Sequence, residues 1–277
     1  MSTDTRNPIG VIGAGTMGAG IAQAAAGAGW PVKLFDINQS LVDQAEESIA
    51  NRFIRLVEKG RISEEESVGC QERITTTITL EDLSDCDLIV EAIVEDFDIK
   101  TAVFKTLDKV CGENTILASN TSSLNVNSLA EASGRADKFV GLHFFYHPAK
   151  NRLIEVIPAE ATSEKSLAKV VQYCKTIGKV VLVCKDRPGF VVNRFFVPWL
   201  NEACLLLSEG IASAAQIDAV ACKAFKIGMG PFALMNLTGP PIALHSTDYL
   251  AEQLNCPRWN GAQNLRDLVA DGRMWEL

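Results

Sequence analysis

A glycine-rich hexapeptide near the amino terminus constrains the fold more than any other feature of this sequence. The segment from Gly13 to Gly18 follows a short apolar run and precedes an alanine-rich stretch. In that context Gly13 permits a tight strand-to-helix turn, Gly15 lets the backbone approach a pyrophosphate, and Gly18 lets the helix pack against the sheet. The spacing predicts a dinucleotide site that contacts Gly13, Gly15, Thr16, Met17 and Gly18.

The second apolar run indicates which dinucleotide is bound. The run Val32–Phe35 is followed directly by Asp36, which comes about 20 residues after the glycines. A carboxylate there accepts hydrogen bonds from the adenosine ribose and repels a 2′-phosphate, and no arginine follows it. NAD is therefore favoured over NADP. FAD remains an alternative because flavoproteins share this fingerprint, as does a glycine-rich turn that binds no nucleotide.

Apolar runs of strand length alternate with amphipathic helical stretches over the first two thirds of the chain. The predicted strands are Ile9–Ile12, Val32–Phe35, Leu88–Ala92, Ile116–Ser119 and Val140–Phe145. This alternation predicts an α/β fold of the Rossmann type, with a doubly wound parallel sheet. The charged stretch from Leu41 to about Glu66 predicts a helical hairpin that projects from the domain.

Beyond a linker at Cys184–Gly189, the pattern contains helices only. The predicted helices are Phe190–Leu207, Ser213–Phe225, Pro231–Gln253 and Leu265–Ala270. We therefore predict an NAD-binding domain at residues 1–187 and a smaller all-α domain at residues 188–277. The sequence ends at Leu277 without an obvious stop signal, so it could also be part of a longer chain.

Composition excludes several classes of partner. The net charge of −8 argues against a general surface for nucleic acid or anionic membrane. No apolar run approaches the roughly 18 residues of a membrane helix, and the polar amino terminus does not resemble a signal peptide. The eight cysteines form no Cys-x-x-Cys pair. This spacing predicts reduced core cysteines in a cytoplasmic protein without a metal site.

Candidates for a general base are few, because the chain contains only three histidines: His143, His147 and His245. His143 lies in an apolar run, and a second run, Leu153–Ile157, begins after a seven-residue connection. If the runs form a hairpin with Phe145 opposite Leu153, His143 faces Glu155. The carboxylate would then fix the imidazole tautomer and leave the other nitrogen to accept a hydroxyl proton. A structural histidine is the alternative interpretation.

Seven ordered motifs, taken together, resemble those of the L-3-hydroxyacyl-CoA dehydrogenase family. They are Gly13-x-Gly15-Thr-Met-Gly18, Val90-Glu-Ala-Ile-Val-Glu95, Ser119-Asn-Thr-Ser-Ser123, Gly141-Leu-His-Phe-Phe145, Leu153-Ile-Glu-Val156, Asp186-x-Pro-Gly-Phe-Val-Val-Asn-Arg194 and Met229-Gly-Pro-Phe232. The similarity runs from Ile9 to about Arg273. It implies reversible oxidation of an L-3-hydroxyacyl-CoA by NAD, in fatty-acid β-oxidation or related acyl-CoA metabolism.

The resemblance also implies catalytic roles for four residues. His143 would be the general base and Glu155 its orienting carboxylate. Ser122 would donate a hydrogen bond near the reacting oxygen, and Asn193 would place the substrate and His143. Simpler interpretations remain, because Ser122 could cap a helix or a turn and Asn193 could be a surface amide.

Further implied contacts concern the cofactor, CoA and a second subunit. Glu95, Lys100 and Asn120 would join the glycines and Asp36 at the cofactor, although Lys100 could be only a solvated charge. The segment Asn51–Glu66 resembles the part of the family that touches CoA. Its basic residues, which could meet the phosphates or form a solvated face, are Arg52, Arg55, Lys59 and Arg61. The helical domain is expected to form a homodimer.

Two departures from the family pattern affect these expectations. After His143 the family usually has Asn-Pro, whereas this chain has Tyr146–Arg152. One hypothesis is that His147, Lys150 or Arg152 contacts an extra carboxylate on a dicarboxylic acyl-CoA. The helical domain has Ala233-Leu-Met-Asn236 where the family more often has Glu and Asp, which makes the dimer packing less certain.

Two competing functions remain open from the sequence. A non-catalytic, crystallin-like relative would bind NAD without turnover, although the retained catalytic set argues against it. A sugar-acid NAD dehydrogenase would keep catalysis and need no CoA site. Competition between free CoA and substrate separates the sugar-acid enzyme from the acyl-CoA enzyme.

Overall fold

The computed structural model describes residues 6–277. The chain divides into two compact units, of which the first ends at Asp186 and the second comprises Arg187–Leu277. Strands of the first unit are β1 (Ile9–Ile12), β2 (Val32–Phe35), β3 (Ile74–Thr77), β4 (Leu88–Glu91), β5 (Ile116–Ser119), β6 (Phe139–Phe144), β7 (Leu153–Pro158) and β8 (Val180–Val183). Its α-helices are α1 (Thr16–Gly27), α2 (Gln39–Glu58), α3 (Glu64–Glu72), α4 (Phe97–Val110), α5 (Val126–Ser133) and α6 (Glu164–Thr176).

The eight strands form one sheet in the order β3-β2-β1-β4-β5-β6-β7-β8. Strands β1 to β6 pair in parallel, β7 is antiparallel to β6, and β8 is parallel to β7. The predicted doubly wound α/β fold is confirmed. The strand order reverses at β1: β2 and β3 are added on one side of it, and β4, β5 and β6 on the other. Open sheets of this kind bind ligands at such a switch point, beyond the carboxyl ends of the strands.

The central strands read as continuous apolar runs because helices cover both faces of the sheet. All residues of β1, β4 and β5 are buried. Helix α1 lies against this sheet through alanines, with Ala22, Ala25 and Ala26 fully buried. Because these side chains are small, α1 can lie close to the sheet along its length, as Gly18 allows at its amino-terminal end.

The long charged stretch forms the predicted pair of helices, but α2 packs against the domain instead of projecting freely. Val42, Ala45, Ile49 and Phe53 of α2 belong to the main apolar core. Helix α3 begins at a capping box formed by Ser63 and Glu66. The sequence did not predict strand β3, whose Ile-Thr-Thr-Thr run is partly exposed at the sheet edge, nor the opposite edge strand β8.

The second unit contains only helices: α7 (Val192–Ser208), α8 (Ala214–Lys223), α9 (Pro231–Thr238), α10 (Pro240–Gln253) and α11 (Gln263–Ala270). The predicted continuous helix Pro231–Gln253 is wrong, because it is divided at Gly239, whose φ is 103°. Pro240 and Pro241 then open α10, where their missing N–H groups break no helical hydrogen bond. No helix within residues 6–277 is long and apolar enough to span a membrane.

Candidate active site

The glycine turn joins β1 to α1 and leaves room for a ligand. Gly13 has a φ of 99°, and a Cβ there would lie 2.6 Å from the carbonyl oxygen of Ala92. A Cβ on Gly18 would overlap the carbonyl oxygen of Gly13. A Cβ on Gly15 would instead meet no atom within 4 Å, and no side chain caps the amino terminus of α1. The uncapped N–H groups and the space above Gly15 suit the pyrophosphate of a dinucleotide.

Asp36 connects the end of β2 to this turn. Its Oδ2 accepts a hydrogen bond of 2.8 Å from the Ala14 N–H, and its Oδ1 accepts one of 3.1 Å from the Asn38 N–H. Both oxygens retain further lone pairs for ribose hydroxyls. The residues present therefore fit NAD, with a fixed carboxylate beside an open phosphate cradle.

A buried ionic cluster lies at the carboxyl end of β4, and the sequence analysis missed its centre, Glu91. This side chain is fully buried and accepts hydrogen bonds from Lys100 Nζ at 2.5 Å and Ser119 Oγ at 2.6 Å. Burial raises the pKa of the Glu91 carboxyl, and the Lys100 ammonium opposes that change. Lys100 is itself 1% exposed and lies 3.2 Å from Glu95 Oε2. The predicted cofactor ligand Lys100 is thus enclosed between two carboxylates.

Glu95 continues the cluster to the loop that follows β5. Its Oε1 accepts hydrogen bonds from Thr121 Oγ1 at 2.6 Å, the Ser122 N–H at 2.9 Å and the Ser123 N–H at 3.1 Å. Burial alone would raise the pKa of Glu95, but the Lys100 ammonium and these donors lower it. Glu95 and Ser122, which are 27 residues apart in sequence, are therefore adjacent in space.

Asn120 and Ser122 lie in the same loop. Asn120 Oδ1 accepts a hydrogen bond of 2.9 Å from the Phe144 N–H, which connects the loop to β6 beside His143. Helix α5, which follows the loop, is capped by Asn125, whose side chain accepts from the Ser128 N–H. Ser122 is therefore not the cap of that helix.

His143 and Glu155 meet as the hairpin argument predicts. In the antiparallel pairing of β6 and β7, His143 lies directly opposite Glu155. His143 Nδ1 and Glu155 Oε2 are 2.8 Å apart, and Glu155 is fully buried. A carboxylate in this position accepts a hydrogen bond from the Nδ1–H group, fixes the tautomer and leaves Nε2 to act as a base.

The loop between these strands, residues 145–152, contributes basic groups. His147 Nδ1 and Arg52 Nη1 are buried and have no hydrogen-bond partner within residues 6–277. Burial, together with the positive charges of Arg52 and Lys150, lowers the pKa of His147. Arg152 instead donates to the Gly178 carbonyl at 3.4 Å. The basic group associated with His147 therefore includes Arg52, which is remote in sequence.

The other candidate CoA contacts differ in placement. Arg52 and Arg55 line a groove of about 360 Å³ along α2, together with the acidic Glu47. Lys59 and Arg61 are exposed beyond the end of that helix. In residues 6–277 no cluster of three or more His, Cys, Asp or Glu side chains is arranged to hold a metal ion.

The second unit holds Asn193, which is half-buried in the first turn of α7. In the Met229–Phe232 motif, the Phe232 and Ala233 N–H groups each donate to the Asp218 carboxylate at 2.9 Å, so this motif begins α9. Asn236, one of the departures from the family pattern, donates to the Trp275 carbonyl and accepts from the Trp275 N–H, both at 2.9 Å. An aspartate could not donate the first of these bonds.

Two protein-family models together match almost the whole chain. Residues 8–187 match the 3-hydroxyacyl-CoA dehydrogenase NAD binding domain, and residues 189–276 match the 3-hydroxyacyl-CoA dehydrogenase C-terminal domain.

Individual relatives and solved structures agree with these matches. The chain is 40% identical to 3-hydroxybutyryl-CoA dehydrogenase of Clostridioides difficile, over 94% of this chain and 92% of that protein. It is 39% identical to human mitochondrial hydroxyacyl-coenzyme A dehydrogenase, over 95% of this chain and 86% of the relative. The crystal structure of (S)-3-hydroxybutyryl-CoA dehydrogenase from Ralstonia eutropha superposes with a TM-score of 0.93 at 36% identity, covering 98% of this chain and 96% of that one. The chain belongs to the 3-hydroxyacyl-CoA dehydrogenase family.

Proposed function

We propose that this protein reversibly oxidises the 3-hydroxyl of an L-3-hydroxyacyl-CoA to a 3-oxo group, with NAD as the oxidant. The observation that carries the assignment is the 2.8 Å contact between His143 Nδ1 and Glu155 Oε2. This contact fixes the tautomer of His143, so that its Nε2 can act as a base. The glycine turn that suits a dinucleotide lies in the same unit. Alcohol oxidation requires both features, because a proton and a hydride leave the same H–C–O–H unit.

The chain's own residues account for the proton half of the reaction. His143 Nε2 takes the proton from the 3-hydroxyl, and the Glu155 carboxylate stabilises the imidazolium that results. When bound, NAD supplies the acceptor for the hydride from C3. In reduction His143 returns the proton to the oxygen. Ser122 is assigned a hydrogen bond to that oxygen, and Asn193 the placement of the substrate.

The cofactor residues divide into direct and indirect contacts. The glycine turn with Thr16 and Met17 holds the pyrophosphate, and Asp36 holds the adenosine ribose. Glu95 and Asn120 lie in the loops at the carboxyl ends of β4 and β5, where they can contact the nicotinamide half. The Lys100 ammonium is enclosed by the carboxylates of Glu91 and Glu95. We therefore assign Lys100 the role of holding Glu95 in position for the cofactor, without direct contact.

The basic residues are assigned to anionic parts of the substrate. Arg52 and Arg55 line the groove along α2 and can meet CoA phosphates, to which Lys59 and Arg61 can add charge. The unpartnered Nδ1 of His147, with Lys150 nearby, supports the hypothesis of an extra acyl carboxylate. Rates with 3-oxohexanoyl-CoA and 3-oxoadipyl-CoA, which have equal chain length, test it. Equal kcat/KM for the two would refute it.

Assembly and location belong to the same proposal. We assign the protein to the cytoplasm as a homodimer whose interface lies in the helical unit. Support for the dimer comes from large apolar side chains exposed in that unit, including Phe195 at 76% and Phe225 at 67%. Sedimentation velocity tests it, and a monomer at micromolar concentration would contradict it.

The test of the function follows NADH absorbance on addition of acetoacetyl-CoA. We expect turnover by the wild type and a loss of about 10²- to 10⁴-fold in kcat for His143→Gln, because a positioned base contributes that much. His245→Gln is the matched control, since His245 is exposed in the second unit. NADH binding without turnover of any thioester would instead support the sugar-acid or non-catalytic alternative.

A further inference from the structure

A buried lysine outside the catalytic set contacts the β6–β7 loop, residues 145–152. Lys179 lies between α6 and β8 and is 8% exposed. Its Nζ donates to the carbonyl oxygen of Asn151 at 2.6 Å and to the carbonyl oxygen of Pro148. The same ammonium lies 5.6 Å from the centre of the Phe144 ring. One cation therefore contacts the loop at two points and the end of β6 at a third.

The loop that Lys179 contacts joins the two halves of the proton-transfer pair. His143 precedes the loop on β6, and Glu155 follows it on β7. Within the loop, the Lys150 and Asn151 N–H groups donate to the His147 carbonyl at 2.8 and 2.9 Å. These internal bonds shape the turn but do not attach it to the rest of the domain. Lys179 attaches the loop at Pro148 and Asn151 from the side of β8, and Arg152, at the end of the loop, bonds separately to Gly178 and Val180.

Within residues 6–277, the buried ammonium of Lys179 has no counter-charge that would offset the loss of its hydration. No carboxylate of the described residues forms a salt bridge with Lys179, so only carbonyl dipoles and an aromatic ring stabilise its charge. Burial accordingly lowers its pKa to about 8, with the Cys174 thiol of α6 acting in the opposite direction. The Lys179 ammonium also helps to lower the pKa of His147, which would add further positive charge when protonated. An apolar side chain would fill the site at lower cost.

We propose that Lys179 is a positioning residue, whose ammonium fixes the β6–β7 loop and thereby the place of His143 relative to the acyl-CoA. The inference rests on the proposed function for its kinetic consequence only. Because small displacements of a catalytic group cost large factors in rate, loss of the clamp lowers turnover. We expect little change in cofactor binding, since the glycine turn, Asp36 and Glu95 lie on loops that Lys179 does not contact. Asn120 is connected to Lys179 indirectly, because it accepts the hydrogen bond from the Phe144 N–H.

The experiment compares Lys179→Met with Lys175→Met, which removes an exposed lysine one turn earlier. For Lys179→Met we expect kcat/KM for acetoacetyl-CoA to fall about tenfold or more, with the NADH dissociation constant within about twofold of the wild type. Lys175→Met should match the wild type in both. A Lys179→Met enzyme with wild-type kcat and KM, or one that loses NADH affinity and turnover together while folded, would overturn the proposal.

A second measurement uses the wild type and does not depend on folding of the variant or on turnover. Amide hydrogen exchange of the segment 146–152 is compared at pH 7 and pH 9.5, with β5 as an internal reference. Deprotonation of Lys179 should reduce protection of the loop and leave β5 protected. Equal protection of the loop at both pH values, after correction for intrinsic exchange, would overturn the clamp even if the protein turns over no thioester.

Discussion

Replacing Glu155 by Gln removes the negative charge beside His143 and changes little in volume. The carboxylate is fully buried and lies 2.8 Å from Nδ1, so water cannot replace it. A hydrogen bond to a charged group contributes about 1.5–3 kcal/mol. If that amount stabilises the imidazolium only after proton transfer, kcat falls roughly 10- to 150-fold. A glutamine that turns its NH₂ group towards Nδ1 would favour the wrong tautomer and lower kcat further, to about 10⁴-fold.

The assay is the steady-state oxidation of 3-hydroxybutyryl-CoA, with NADH affinity measured separately by fluorescence. Because Glu155 does not lie in the glycine turn or beside Asp36, we expect NADH affinity to remain within about twofold. The exposed Glu160, shortly after β7, provides the matched control as Glu160→Gln. A Glu155→Gln enzyme with wild-type kcat would refute the assignment of Glu155 as the orienting carboxylate of His143.

Four further perturbations test cofactor binding, folding and the burial of charge. Gly15→Val should weaken NADH binding by about tenfold or more, because the new side chain fills space meant for the ligand. Its free energy of unfolding should stay within about 0.5 kcal/mol of the wild type. Gly18→Ala should instead destabilise the protein in urea titrations, because its Cβ would overlap the Gly13 carbonyl oxygen. Glu91→Gln leaves Lys100 with one carboxylate and should cost about 3–5 kcal/mol of stability; a loss below about 1 kcal/mol would contradict the ionic cluster. Lys179 has a folded pKa of about 8 against 10.5 when free, so the unfolded state binds more protons between these values and stability should rise with pH there by about 3 kcal/mol. That rise should be absent from Lys179→Met, and identical pH dependences would contradict burial of the charge.

Local patterns in the sequence were sufficient for the parts of the site that lie on one short segment or one hairpin. Gly13 and Gly18 face steric limits that only glycine satisfies, so their spacing identified the turn. The register of His143 against Glu155 followed from a hairpin with Phe145 opposite Leu153, because the residue numbers of opposite positions in an antiparallel pair have a constant sum. The sequence analysis missed the helix break at Gly239, since the apolar pattern continues through Pro240 and Pro241.

Contacts between segments that are distant in sequence could not be predicted from local patterns. Nothing in the Val90–Glu95 motif distinguishes Glu91 as the centre of an ionic cluster, because its partners Lys100 and Ser119 come from α4 and β5. Nothing in the sequence distinguishes Lys179 from the other lysines as a buried residue. The spacing of Arg52 and His147 along the chain also does not indicate that they lie close together.

The sequence by itself determined the α/β class, the dinucleotide turn, the helical second unit and the pairing of His143 with Glu155. Each follows from periodicity, glycine sterics or a motif contained in a few neighbouring residues. Only the tertiary structure decided which charges are buried and what compensates them, because desolvation depends on every segment that surrounds a group. The sequence thus names the candidate catalytic residues, and the fold determines that Glu91, Lys100 and Lys179 are buried.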